Sequence, residues 1–250
     1  MKPIIISGEQ FKDEIKISDS IANIAQMISE GQVIIIRGVF DSKLLYSVKK
    51  EIFEFGQNSP ENNPKRDAKT DNFHRIDNDH PLMSVKRIAH FFRYSYTNQN
   101  LTSIFQLIHP LNILRNSIAN LDPEYTFYKD DDGFLSQPAA LHYPVGGGYM
   151  SAHVDPIDPQ KVEMVLSLSQ RGVDFNKGGL SIFIDNEWYD VEKFIQFGDI
   201  SMFRPDIPHR VNPIDAENEL NWNTISGRWT VFSPIANISN ESNNENEVKS

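Results

Sequence analysis

Three potential metal ligands and one arginine stand in a fixed order in this 250-residue chain: His153, Asp155, His209 and Arg228. In a β-strand, residues i and i+2 point to the same side, so His153 and Asp155 can converge on one ion. Two imidazoles and one carboxylate form a facial ligand set that suits Fe(II) and leaves further coordination positions open. Arg228 adds a fixed cation able to hold a carboxylate in bidentate fashion. The pattern predicts a metal site beside a carboxylate-binding site.

The sequence around these residues resembles the Fe(II)- and 2-oxoglutarate-dependent oxygenases over roughly residues 20–234. That family has His-X-Asp, then a distal His, then an Arg or Lys on a following strand. The flanking segments agree with the family pattern, and they read HYPVGGGYMSAHVD, KGGLSIF, GDISMFRPDIPHRV and GRWTVFSP. An isolated His-X-Asp occurs by chance in many proteins, but the ordered set with these neighbours is specific.

The resemblance implies a set of cofactors and roles. Fe(II) is bound by the two histidines and Asp155, with 2-oxoglutarate as co-substrate and O2 as the second reactant. Arg228 and Thr230 resemble the pair that holds the distal carboxylate of 2-oxoglutarate, and Tyr143 resembles residues that reach the co-substrate. Because position 155 is a carboxylate and not a small residue, hydroxylation is expected rather than halogenation. Desaturation, ring closure and epimerisation stay open.

The order of periodicities predicts helices first and strands afterwards. Asp19 or Ser20 is predicted to cap a helix that runs through about Ser29, and Asp41 is predicted to cap a second helix that ends at Gly56. Two more helices are predicted at 84–95 and 101–120, with a short strand at 32–37 and a polar loop at 57–72. From about Tyr125 the apolar pattern alternates with period two, which is typical of strands. We therefore predict a mainly β protein with a helical N-terminal part. The resemblance implies a double-stranded β-helix (jelly roll) core supported by those helices.

These elements predict one domain over residues 1–235. Its helical support covers about 18–120, and its β-helix core covers about 124–235. Residues 236–250 are poor in apolar side chains and rich in Asn, Glu and Ser, which predicts a disordered tail.

Composition excludes several functional classes. The formal net charge of −10 and the pI near 5.2 argue against nonspecific nucleic-acid binding, which needs a basic surface. No segment has the length of a membrane span, and the first residues do not resemble a secretory leader. The chain has no cysteine, so disulfides and thiolate ligands are excluded. We expect a cytoplasmic location.

A small molecule of amino-acid or natural-product type is the expected substrate, because the chain shows no appended reader domain and no basic face. His74, Arg93 and His142 are the predicted substrate-contacting residues. Arg87 is interpreted instead as part of the solvated face of the helix at 84–95. The sequence does not indicate the oligomeric state or the identity of the substrate.

Other functions stay open. A groove formed by the long loop would suit a peptide or protein side-chain hydroxylase. A cupin-type metalloenzyme would need His-X-His with a following Glu, which this chain lacks. A non-catalytic sensor barrel would bind 2-oxoglutarate without converting it to succinate.

Overall fold

The computed structural model describes residues 2–11, 14–64, 70–81, 83–96, 102–127 and 133–238. Most of the regular structure in these segments is β, as predicted, and the three α-helices all lie before residue 119. The helices are α1 (Ile21–Ser29), α2 (Ser42–Asn58) and α3 (Thr102–Ile118), and a short 3-10 helix covers Glu192–Phe194. The strands are β1 (Ile4–Phe11), β2 (Glu14–Ile17), β3 (Ile34–Arg37), β4 (Phe73–Asn78), β5 (Arg87–Arg93), β6 (Phe134–Ser136), β7 (Ala139–Pro144), β8 (Gly148–His153), β9 (Glu163–Ser167), β10 (Gly179–Ile184), β11 (Glu187–Asp190), β12 (Ile200–Phe203), β13 (His209–Ile214), β14 (Gly227–Phe232) and β15 (Ile235–Asn237).

The predicted helix starts are confirmed by their capping contacts. The Ser20 hydroxyl accepts a hydrogen bond from the Asn23 amide at 3.2 Å, which satisfies one of the free N–H groups of α1. The Asp41 carboxylate accepts from two backbone amides at the start of α2. The helix expected at 101–120 is α3.

The segment at 84–95 is a strand, so the helix predicted there is wrong. Its residues form β5, which lies in the middle of the sheet and pairs with β4, β7 and β8. β5 reads RIAHFFR and carries apolar residues on both faces, and periodicity alone does not separate such a strand from a buried helix. β4 is a second strand that was not predicted, and it directly follows the expected loop at 57–72.

One large sheet contains thirteen of the described strands, with the order β11-β10-β13-β8-β5-β7-β14-β9-β12-β3-β1-β2 and with β4 added to β5. Neighbouring strands are antiparallel except for β1 and β3. The strands that carry the predicted site residues, β8, β13, β7 and β14, lie close together in this order. Residues as far apart in the sequence as Tyr143 and Arg228 are therefore brought together by strand pairing.

Successive side chains of β14 point to opposite faces of the sheet, one toward the core and the other toward a cavity. Trp229 points toward the core that contains the helices, where its ring stacks on Phe92 at 5.9 Å and on His142 at 4.1 Å. Arg228 and Thr230 point to the opposite side and line a cavity. The cavity therefore forms on one face of the sheet while the helices cover the other.

Two further findings concern the predicted limits of the domain. Ala236 and Asn237 belong to β15, so regular structure continues past residue 235, and residues 239–250 of the predicted tail lie outside the described residues. Part of the expected loop, residues 65–69, also lies outside them. Among the described helices, none is long and apolar enough to cross a membrane.

Candidate metal centre

Strand pairing brings the three predicted metal ligands together. His153 ends β8 and His209 begins β13, and the two residues are direct partners in the antiparallel register. Asp155 follows β8 by two residues, and its backbone N–H is held by the Pro205 carbonyl at 3.0 Å. One Asp155 carboxylate oxygen lies 3.7 Å from His153 Nε2 and 3.3 Å from His209 Nε2. One potential ligand atom from each residue lies within 4.8 Å of the other two.

Backbone carbonyls fix the orientation of both imidazoles. His153 Nδ1 lies 2.9 Å from the Ser151 carbonyl, and His209 Nδ1 lies 3.0 Å from the Ile207 carbonyl. Since a carbonyl accepts only, each Nδ1 carries the proton, and each Nε2 is directed at the other ligands. This is the outer-shell arrangement that metal-binding histidines use to set their tautomer. The donor set therefore fits a divalent metal ion with open coordination positions.

The three ligands also influence each other's protonation. Burial and the neighbouring His209 lower the pKa of His153. Burial opposes protonation of His209 as well, but its hydrogen bond to Asp155 and the nearby Glu163 carboxylate raise its pKa overall. Burial acts to raise the pKa of Asp155, yet the two histidines outweigh it and lower that pKa. The carboxylate is therefore ionised at neutral pH, as a metal ligand must be.

The predicted co-substrate residues lie on two paired strands. Arg228 is opposite Tyr143 in the β14–β7 register, and Thr230 is opposite Leu141. All four side chains line the cavity that contains the triad. Burial raises the pKa of Tyr143 to about 12, so its hydroxyl stays a hydrogen-bond donor at neutral pH. A cation and two hydroxyls thus face the same space as the metal ligands.

Glu192 holds Arg228 in place, and this residue was missed by the sequence analysis. Its Oε2 accepts from Arg228 Nε at 2.8 Å and from the Leu180 backbone N–H at 2.7 Å, and its side chain is only 1% exposed. Among the described residues, none accepts a hydrogen bond from the Nη nitrogens of Arg228. The guanidinium is therefore fixed through Nε and presents its other edge to the cavity.

Gly179 makes room for Glu192. Its φ is +104°, and a Cβ at this position would lie 2.3 Å from the Glu192 Cγ. The neighbouring Gly178 has φ +91° and would place a Cβ 2.2 Å from the Pro213 carbonyl oxygen. Gly179 is therefore needed for the packing of the carboxylate that holds Arg228.

The cavity has a volume of about 500 Å³. Its described lining contains four arginines and three carboxylates, so it is richer in positive charge than the chain as a whole. These residues are Arg75, Arg87, Arg210 and Arg228, and Asp155, Asp158 and Glu163. Burial, followed by the charge of Asp155, raises the pKa of Glu163 to about 7. The space is large enough for a dicarboxylic acid and a second small molecule.

The structure does not bring the three predicted substrate residues to the cavity lining. His74 is buried in β4 between the His90 ring and the Ser59 carbonyl, with both contacts at 2.7 Å. His142 points away from the cavity, stacks on Trp229 and donates to the Ser226 carbonyl from Nε2 at 2.9 Å. Arg93 lies at the end of β5 and is 3% exposed, but it is not among the lining residues.

Arg87 lines the cavity although it was not predicted to do so. It was interpreted as part of a solvated helix face, and it is instead the first residue of β5. The misassigned secondary structure at 84–95 hid this residue. Period-two counting from Phe91, which also lines the cavity, would have placed Arg87 on the same face.

Comparisons with known proteins support the fold. No family model matches the chain, and no curated protein matches it in sequence. A prolyl-4-hydroxylase from Pseudomonas putida superimposes with a TM-score of 0.55 at 16% identity, covering 86% of this chain and 98% of the other. A prolyl hydroxylase from Trichoplax adhaerens, solved with a hypoxia inducible factor peptide, gives 0.55 at 13% identity, covering 89% and 93%. EctD from S. alaskensis, solved with bound Fe, gives 0.53 at 12% identity, covering 94% and 84%.

The chain has the fold of the 2-oxoglutarate–Fe(II) oxygenases. The predicted mainly β fold with a jelly-roll core is thereby confirmed. At these identities the similarity establishes the fold, and the activity has to be argued from the site.

Proposed function

We propose that this protein is an Fe(II)- and 2-oxoglutarate-dependent oxygenase that hydroxylates a C–H bond of a small molecule. The observation that carries this proposal is the triad itself, in which both Nε2 atoms and one carboxylate oxygen converge while both Nδ1 atoms are fixed by carbonyls. In a cluster without a metal-binding role, there would be no reason for backbone carbonyls to turn both Nε2 atoms toward the same carboxylate.

His153, Asp155 and His209 would hold Fe(II). The bound metal, with 2-oxoglutarate and O2, supplies the oxidising chemistry that yields succinate, CO2 and a hydroxylated product. The protein would contribute by holding the three ligands in fixed positions on the cavity wall. The co-substrate and the reacting C–H bond would then be held close to each other in the cavity.

Arg228 would bind the distal carboxylate of 2-oxoglutarate. Its Nε is held by Glu192, so the Nη edge needs no further ordering when it donates to the ligand. Thr230 lies two residues along the same strand and can donate from its hydroxyl, and Tyr143 lies opposite Arg228. Charge-assisted hydrogen bonds of this kind contribute about 1.5–3 kcal/mol each.

The proposal is tested first by an anaerobic optical titration with Fe(II) and then with 2-oxoglutarate. We expect a weak visible band after the second addition in the wild-type protein. His209→Ala should lose metal binding, and Arg228→Ala should bind metal but need a higher 2-oxoglutarate concentration for the band. His80→Ala is the matched control, because it removes an exposed histidine outside the cluster and should behave as wild type.

Succinate formation in the presence of a metabolite library and of a peptide library then decides the substrate class. Product formation from metabolites and not from peptides is the expected result. Activity restricted to peptides would overturn the small-molecule assignment. A band with no succinate from either library would favour a sensor barrel, and no band despite bound metal would refute the 2-oxoglutarate site.

A further inference from the structure

Arg87 lies on the cavity wall near the metal ligands but not at them. In the β5–β8 register it is opposite Met150, which precedes His153 by three residues on β8. Strand spacings place its Cα roughly 11 Å from the Cα of His153.

A buried carboxylate fixes the Arg87 side chain through one edge only. Asp77 on β4 is 7% exposed, and its Oδ2 accepts from Arg87 Nε at 2.6 Å. Its other oxygen accepts from Arg75 Nε at 2.8 Å. One negative charge is thus shared by two guanidiniums, and both stand over the Phe91 ring, at 4.6 Å for Arg75 and 5.9 Å for Arg87.

Within the part of the chain that the structure describes, no residue accepts a hydrogen bond from the Nη nitrogens of Arg87. The arrangement repeats that of Arg228, whose Nε is held by Glu192 while its Nη edge faces the same cavity. A guanidinium anchored in this way can form two parallel N–H···O bonds to one carboxylate. Arg87 therefore offers the cavity a second site for a carboxylate, beside the one that Arg228 offers to the co-substrate.

Apolar side chains adjoin Arg87 on this wall. Met150 lies across from it, Phe91 lies under its guanidinium, and Leu141 is opposite Phe91 in the β5–β7 register. All three line the cavity. An occupant anchored at Arg87 would lay a hydrocarbon segment along these side chains.

We propose that Arg87 binds a carboxylate of the substrate itself, so that the substrate class is a small carboxylic acid with an apolar segment next to its acid group. This inference rests on the proposed function, because it assigns Arg228 to 2-oxoglutarate. It adds a specificity-determining residue and a chemical class for the molecule that is oxidised.

Binding of simple probes to the loaded protein tests the inference. The protein is saturated anaerobically with Fe(II) and 2-oxoglutarate, so that Arg228 is occupied, and titrated calorimetrically with hexanoate, hexanol, hexylamine and hexyl phosphate. We expect hexanoate to bind at least about tenfold more tightly than hexanol. Arg87→Gln should remove that preference, and Arg87→Lys should retain part of it. The visible 2-oxoglutarate band, measured on each variant, reports whether the metal site is intact.

Arg171→Gln is the matched control, because Arg171 pairs with Asp190 outside the cavity lining and its loss should leave the preference unchanged. The inference is wrong if the band is present and the wild-type protein binds hexanoate no more tightly than hexanol. It is also wrong if Arg87→Gln still binds hexanoate more tightly than hexanol. A preference for hexyl phosphate or hexylamine would overturn the carboxylate assignment. If Arg87→Gln gives no band, the comparison is made with Arg87→Lys. An absent band in the wild type would refute the proposed function instead.

Discussion

The buried ion pair between Arg228 and Glu192 can be tested by measuring the free energy of unfolding, without any assay of activity. The two side chains are 3% and 1% exposed, and Nε lies 2.8 Å from Oε2. If Arg228 is replaced by methionine, the Glu192 carboxylate stays buried and keeps only its hydrogen bond from the Leu180 N–H among the described donors. Removing one partner of a buried pair costs about 3–5 kcal/mol, because the remaining charge is uncompensated. We expect Arg228→Met to lower the free energy of unfolding by that amount.

Urea denaturation of the metal-free protein near neutral pH measures this change. A domain of this kind has about 5–15 kcal/mol of total stability, so the shift in midpoint should be large. The double variant Arg228→Met/Glu192→Leu removes both charges. It should be more stable than the sum of the two single losses implies, because neither charge is left buried alone.

Asp190→Asn is the control, since its pair with Arg171 is partly exposed and should contribute at most about 1 kcal/mol. The reasoning is refuted if Arg228→Met costs no more than Asp190→Asn. It is also refuted if the double variant loses the full sum of the single effects, which would mean that the two side chains do not interact in the folded protein.

Three further changes have defined expectations. Gly179→Ala should weaken 2-oxoglutarate binding at least about tenfold, measured by the visible band, because a Cβ there would displace Glu192 and with it the guanidinium. Glu163→Gln should stabilise the metal-free protein increasingly between pH 4.5 and 7, since the folded-state pKa of about 7 is above the ordinary value and wild-type stability is lost as pH rises. His142→Gln should reduce the loss of stability below pH 6.5, because burial lowers the pKa of His142 to about 3 and the neutral ring must be protonated as the protein unfolds in acid. Chemical denaturation across the pH range measures the last two.

Each of these has a contradicting result. Unchanged 2-oxoglutarate binding in Gly179→Ala would show that Glu192 does not position the arginine. A pH-independent difference between wild type and Glu163→Gln would mean that this carboxyl titrates normally. For His142→Gln, the control is His80→Gln at an exposed position, and equal acid sensitivity in the two variants would contradict the buried neutral ring.

Local sequence signals were sufficient for several elements. Ser20 and Asp41 marked helix starts because a capping side chain acts on amides only two or three residues away. The alternation near residue 165 identified a strand for a similar reason, since neighbouring residues face opposite sides of the sheet. β5 was mispredicted because burial of both its faces removes that alternation, and two of its three partner strands, β7 and β8, are distant in sequence.

The candidate metal ligands and Arg228 were predicted from order and spacing, since a metal site requires particular side chains whatever else the fold does. Their convergence depends on the β8–β13 register, which places His153 opposite His209. Glu192, Asp77 and the cavity-facing edge of Arg87 were beyond the sequence analysis, because a carboxylate that anchors a guanidinium has no fixed sequence distance from it. Residue types and their spacing were enough to predict which groups could bind iron and a carboxylate. Which charges are paired, which guanidinium edges stay open, and therefore what the cavity can accept depend on contacts between residues distant in the sequence.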